Sequence, residues 1–463
     1  MLSLPRPVTS VPPPTSLEKI IVLLIITFPV MGVFFAPESY FAPQGYSIAN
    51  VSGKELGFPF GRIAFIILLI WLVPQYLRMP RTMGMALLRS GLPVLFVCLM
   101  VVSGTWTADP GQSINRSFRT LLLVLMAVYL IERYDWRELY RFFAIAGVIA
   151  IVGSTFAALA MPTYGLSDLE GYRDAWRGAL QHKNSLGALM TLLLPIAYLG
   201  WRDGALKRPM ALFLLFGSAV LVVKSRSATS IVTYAATAGL LVAIPFFNRL
   251  HSRSVKLGVA FLAVALAYPL MQMKVLLDDF LGAIGRSTDF TGRQPIWDIV
   301  NAMSDLRPVW GYGSGFWAID SLDRDYIWSV MNWAVPHAHN TFLDIRFQLG
   351  YVGLAIAVLF FGIAALRMIR GFAYGMPTLA LLWPLIIITT FIRGSTETYI
   401  VEPGSGGLFW FVLSYAALGK LAANAPQTGT VPVTGLGRWT GSPKVPKRFG
   451  RTMPEGPLQP RQA

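Results

Sequence analysis

The chain has 463 residues, of which 54% are apolar and only 13% charged, and its net charge at pH 7 is +16. So few charges cannot cover a water-soluble surface, which excludes an ordinary soluble globular enzyme. The positive excess does not read as a nucleic-acid patch, because the basic residues recur in short loops between apolar runs, where they act as a topology signal.

The first 16 residues form a proline-rich tail (Pro5, Pro7, Pro12, Pro13, Pro14). Apolar runs then recur at 17–36, 60–77, 86–104, 118–132, 141–161, 184–201, 209–223, 228–248, 256–273, 349–369, 377–393 and 406–422. Each can cross a hydrocarbon core of about 30 Å as a helix. The fold class expected is all-α: a polytopic integral membrane protein with about twelve transmembrane helices and one large external loop. The expected order is a cytoplasmic tail (1–16), helices one to nine (17–273), an external loop (274–339), helices ten to twelve (340–422) and a basic cytoplasmic tail (423–463). No small-residue cleavage site follows the first run, so it reads as a retained anchor. The single cysteine, Cys98, falls inside the third run, which leaves no intrachain disulfide to brace the loops.

Orientation follows from the basic loops. Arg78, Arg81 and Arg89; Arg133, Arg137 and Arg141; Arg202, Lys207 and Arg208; Arg249, Arg253 and Lys256; and Arg367 and Arg370 mark alternate connections as cytoplasmic. Both termini then lie in the cytoplasm and the long segment 274–339 lies outside, in the periplasm. Long loops carry function more often than short connections do.

Within that loop, 294–303 predicts a short amphipathic helix with Pro295 in its first turn. Arg293 stands just before it, where a guanidinium and the helix's first N–H groups can meet one anion, or where it is simply a solvated arginine. Gly311–Gly315 reads as a tight scaffold turn. Lys224 and Arg226 sit in a short external connection that the positive-inside rule disfavours, so an anionic headgroup or lipid phosphates must reward them. Three of the four histidines, His182, His337 and His339, face outward, and His337 and His339 close the long loop. An imidazole there suits a general base or an oxyanion ligand, and equally a loop histidine bonded to backbone. A zinc ion held by His182, His337 and His339 is the alternative, unsupported by ligand spacing such as HExxH, so no metal is expected. Trp297, Trp310, Trp317, Trp328 and Trp333 read as interface anchors, with one or two available to stack on a sugar. Arg307 and Arg324 read as solvated loop residues, and the runs themselves contain almost no ionisable side chains, which disfavours a transporter or flippase.

His339-Asn340, nine residues, then Gly350-Tyr351-Val352-Gly353 resembles the signature of the O-antigen ligase and Wzy-type polymerase superfamily. Gln181-His182-Lys183-Asn184-Ser185-Leu186-Gly187, Ser225-Arg226-Ser227 and Thr291-Gly292-Arg293 with Trp297 resemble the same superfamily, closest to its exopolysaccharide polymerase branch. The resemblance spans roughly residues 17–422. It implies an enzyme of the bacterial inner membrane that moves a glycan from undecaprenyl pyrophosphate to an acceptor hydroxyl, without metal, cofactor or nucleotide sugar. Its implied partners are a lipid-linked oligosaccharide donor, a glycan acceptor, membrane lipid and a polysaccharide assembly or export complex, with no nucleic acid. His339, Arg226 and Arg293 match the catalytic positions, His337, His182 and Asn340 candidate substrate-binding positions, and Gly350 and Gly353 positions that shape the turn and helix. Relatives often carry a carboxylate where this chain has Gln348. A polymerase is the favoured reading, and a ligase that uses lipid A core as acceptor is the alternative.

Overall fold

The computed structural model describes residues 12–32, 59–167, 174–180, 182–249, 293–401 and 406–423. The far ends of both tails, the run at 256–273 and the external loop up to residue 292 lie outside the described residues. Among those described, the chain is helical, with one isolated bridge between Leu166 and Trp176. The elements are α1 (Ser16–Ile25), α2 (Pro59–Arg78), α3 (Pro80–Arg89), α4 (Gly91–Ser103), α5 (Pro110–Arg133), α6 (Trp136–Ala160) and α7 (Lys183–Arg202). They continue with α8 (Arg208–Lys224), α9 (Ala228–Arg249), α10 (Gln294–Leu306), α11 (Leu322–Met331), α12 (Thr341–Tyr374), α13 (Leu382–Gly394) and α14 (Gly406–Ala423).

Local chemistry sets many of the boundaries. Thr15, Asp109 and Asp135 cap α1, α5 and α6 by accepting from backbone N–H groups in the first turn. Pro80, which has no N–H to continue a ladder, opens α3 after a 105° bend from α2. The all-α, multi-pass architecture matches the expectation, but the number of spans does not reach twelve among the described residues. Five helices (α5, α6, α7, α12 and α14) are long and apolar enough to cross a membrane, or six if the bent α2–α3 pair is one span. The expected run at 86–104 is broken at Ser90, and the helices ending near Trp106, Ile244 and Gly394 are shorter apolar elements.

α14 is the central helix, with 83% of its apolar window buried against 33% for α12. Trp410 of α14 packs on Phe143 of α6 at 4.9 Å, and Phe411 packs on Phe360 of α12 at 5.1 Å. α12 keeps Tyr351, Val358, Leu359 and Leu366 exposed, a surface suited to lipid.

The helices carry more buried charge than the apolar runs suggested, because it is confined to their ends and paired across the bundle. At one end Glu18 accepts from Tyr129 (2.6 Å), Arg133 (2.8 Å) and Tyr134 (3.1 Å). Lys420 and Arg89 flank Glu132 there at 3.4 and 2.7 Å. Arg393, Glu397 and Asp344 are likewise buried near the mouths of α12 and α13.

The described part of the long loop is a folded lobe. The expected amphipathic helix is present as α10 and buries Ile296, Val300 and Met303. Gly311, Gly313 and Gly315 all have positive φ and turn the chain against α12, where the N–H groups of Tyr312 and Gly313 donate to the carbonyls of Phe347 and Gln348 at 3.0 and 2.7 Å. At Gly350, φ +64 interrupts α12, and a Cβ there would sit 2.1 Å from the Val309 carbonyl oxygen, so only glycine fits. At Gly353 a Cβ would fall 2.2 Å from Leu349 Cβ. Arg324 is not the solvated residue expected: only 4% exposed, it is clamped by Asp320 (2.7 Å) and Asp325 (2.8 Å) over the Trp328 ring. Arg307 is half-exposed, as expected.

Candidate active site

The site begins with two caps. Asn340 opens α12, its Oδ1 accepting from the Phe342 and Leu343 N–H groups at 3.0 and 3.2 Å. His182 opens α7, its Nδ1 accepting from the Asn184 N–H at 3.2 Å. Both are thus engaged in helix starts. Immediately before Asn340, His339 adopts φ +52, and in the α8–α9 turn Arg226 adopts φ +48. For residues with a Cβ this conformation costs on the order of 1 kcal/mol and persists only where surroundings impose it.

One carboxylate organises the cluster. Glu397, buried in the turn after α13, accepts through Oε1 from Arg293 Nη2 (3.0 Å) and Asn184 Nδ2 (3.2 Å). Its Oε2 lies 3.1 Å from His339 Nδ1 and 3.9 Å from His337 Nε2. The two imidazole rings are 4.1 Å apart, and His337 Nδ1 accepts the His339 backbone N–H at 3.2 Å. Trp297 of α10 pins this stretch by donating to the Ala338 carbonyl at 2.9 Å. The Thr341 hydroxyl donates to the Glu397 carbonyl (2.9 Å), and the Thr398 hydroxyl donates to the buried Asp344 carboxylate (2.6 Å).

Arg393 braces the cluster from below, donating to the Ser230 hydroxyl (3.1 Å) and the Asn184 carbonyl (3.3 Å) and lying over the Tyr399 ring. It therefore ties α13 to α7 and α9. Arg226 faces solvent at the rim and interacts electrostatically with the buried Lys183, which also feels Glu397.

Burial alone would raise the Glu397 pKa, but the hydrogen bond and charge of His339, then the charges of His337 and Arg293, hold it well below the usual carboxylate range. His337 is pushed down to about 3, chiefly by burial and then by His339, with Glu397 opposing. His182 is also pushed down by burial. At neutral pH Glu397 is an anion and His337 a neutral ring. With Glu397 accepting Nδ1–H of His339, the neutral form of that ring carries its lone pair on Nε2, the arrangement a general base needs.

His337, His339 and Glu397 each offer a ligand atom within 4.8 Å of the others, so the set with metal-like spacing contains Glu397 rather than His182. The Arg293 guanidinium, 3.0 Å from the same carboxylate, places a fixed positive charge beside it and opposes a cation.

Sequence reasoning overlooked Glu397, Asp344 and Arg393, and gave Asn184 no role beyond its place in the 181–187 motif. One signal was available for Arg393: on the expected topology it ends a span on the external side, the same breach of the positive-inside rule that drew attention to Arg226. Gln348, where relatives often carry a carboxylate, is a strut: its amide donates to Asp344 (3.0 Å) and its oxygen accepts from the Gly315 N–H (2.8 Å).

Residues 211–358 match the O-antigen ligase family. That stretch contains Arg226, Arg293, His337, His339, Gly350 and Gly353, while His182 and Glu397 fall outside it. The chain is also 26% identical over 390 residues, 79% of its length and 82% of the relative's, to the exopolysaccharide production protein ExoQ of Rhizobium meliloti (strain 1021). Both findings support the O-antigen ligase and Wzy-type superfamily, on its exopolysaccharide branch. Proteins of the O-antigen ligase family are glycosyl-transferring enzymes, and with the apolar helices the two matches indicate a multi-pass bacterial membrane protein.

Proposed function

We propose that this chain polymerises oligosaccharide repeat units carried on undecaprenyl pyrophosphate at the external face of the cytoplasmic membrane, with both termini in the cytoplasm. The observation that carries the reading is the buried Glu397 bonded at once to Arg293 and His339, at the mouth of helices whose other end carries the basic loops. In the transfer step an acceptor hydroxyl attacks the donor's anomeric carbon, the bond from that carbon to the pyrophosphate oxygen breaks, and the lipid pyrophosphate leaves with the electron pair. His339 Nε2 takes the hydroxyl proton, and Glu397 stabilises the imidazolium that results. Arg293, and Arg226 with Lys183, offset the charge developing on the pyrophosphate. No step needs a metal.

The test is reconstitution. The purified protein, given only lipid-linked repeat units, is expected to form a ladder of longer lipid-linked chains. Units left unjoined until lipid A core is added would instead identify a ligase.

A further inference from the structure

Apart from the Glu397 cluster, one cleft combines aromatic walls with an ion pair. It has a volume of about 210 Å³ and lies between the turn after α4 and the external lobe, lined chiefly by Trp106, Thr107, Arg307, Tyr312, Phe316 and Asp323. That volume is below the roughly 300–1,000 Å³ of pockets that enclose drug-sized ligands, so it matches a single small unit rather than a whole repeat.

We propose that this cleft is a saccharide subsite, separate from the catalytic cluster, that holds one neutral pyranose unit of the glycan chain. The proposal rests on the glycan-transfer reading and adds to it where the chain is gripped. Two features favour a sugar. Trp106, partly exposed, presents ring surface to which the C–H face of a pyranose is complementary, over a floor formed by the buried Tyr312 and Phe316. Arg307 and Asp323 face one another at 3.6 Å, each about half exposed, and supply donors and acceptors for hydroxyl groups with no net charge between them, which favours a neutral unit over an ionic headgroup. Trp106 Nε1 is buried and makes no hydrogen bond to the described residues.

The cleft is rigidly built. Ser113 donates to the Ser314 carbonyl (2.6 Å), and the Ser314 N–H donates to Ser103 (2.9 Å), which locks the lobe onto α4 and α5. A Cβ at Gly313 would come 2.2 Å from Thr107 Cγ2, so close approach of the walls requires glycine there. On either side of Phe316, Gly315 bonds Gln348 and Trp317 bonds Asp344 (2.8 Å each), and Asp344 accepts from Thr398, the neighbour of Glu397. Cleft wall and catalytic carboxylate thus share one buried network.

The experiment uses the full-length protein in nanodiscs and, as probe, the free oligosaccharide released by mild acid from the host's lipid-linked repeat unit, with affinity read by calorimetry. Trp106→Ala and Asp323→Ala should each weaken binding about tenfold, the scale of one lost stacking or charge-assisted contact. Trp106→Phe should retain most of it, separating loss of a ring surface from loss of fold, and Arg137→Ala, at the other end of the bundle, should bind as the wild type does. In the transfer assay the same two alanine variants should raise KM with kcat unchanged. Wild-type affinity in both alanine variants, or equal loss in Arg137→Ala, overturns the subsite, as does binding of phosphocholine micelles in place of the sugar. Oligosaccharide binding by a protein that never forms a ladder would uphold the subsite while the transfer reading fails.

Discussion

Glu397 Oε2 lies 3.1 Å from His339 Nδ1, although 58 residues and the whole of α12 and α13 separate the two. That contact, with Arg293 on the other oxygen, joins the lobe formed by residues 293–339 to the helical bundle and fixes which imidazole nitrogen bonds the carboxylate. Removing the carboxylate would leave a buried guanidinium and imidazole without their anion, a loss of both orientation and charge balance.

The arginines should not be replaceable by lysine. Arg293→Lys and Arg226→Lys keep the charge but lose the forked guanidinium, so transfer from lipid-linked units should fall by about 10- to 100-fold with normal membrane insertion. Arg137, exposed at the other end of the bundle and paired with Asp203, provides the control: Arg137→Ala should insert and transfer normally. Equal losses at Arg137 and Arg293 would mean that the assay reads stability.

Stability should depend on pH through His337. Its folded pKa, about 3, is depressed below the ordinary value of 6.5, so the unfolded chain binds the proton first. Its contribution is therefore fully present above about 6.5 and declines as pH falls from there towards 3. Glu397, also depressed, adds a loss of the same sign only below about 4.3. The thermal midpoint should drop between pH 7 and pH 5, and His337→Gln should flatten that drop, as followed by scanning fluorimetry.

Chelation tests the role of the His337, His339 and Glu397 trio. Activity should survive prolonged treatment with a strong chelator, because Arg293 already supplies the positive charge beside Glu397. Loss of activity restored by zinc would convert the trio into a metal centre.

Much of the fold was legible in sequence because apolar run length and loop charge are local signals. The runs foretold the helices, Pro295 the start of α10, and the glycines at 311–315 the turn. The count of twelve spans is not reached among the described residues, where breaks such as Ser90 and the α2–α3 bend divide apolar stretches that a hydropathy window joins and from which the run at 256–273 is missing. Two of the candidates, His339 and Arg293, meet on one carboxylate while Arg226 lies at the rim, and all three were singled out by scarce histidine, loop charge and motif resemblance. Glu397 was not: an acid in an external turn breaks no rule, and its meaning comes only from contacts made 104 and 58 residues away. Asn340 and His182, the candidate substrate ligands, each use one side-chain atom to cap a helix.

The most direct test of the Glu397–His339 unit is a double-mutant comparison in single-turnover transfer from purified lipid-linked repeat units. If the carboxylate acts through the imidazole, His339→Ala and Glu397→Gln should each slow transfer by about 100-fold or more while donor binding persists, and the double variant should be little worse than His339→Ala alone. Losses that multiply in the double variant, or near-normal transfer in either single variant, would contradict the account.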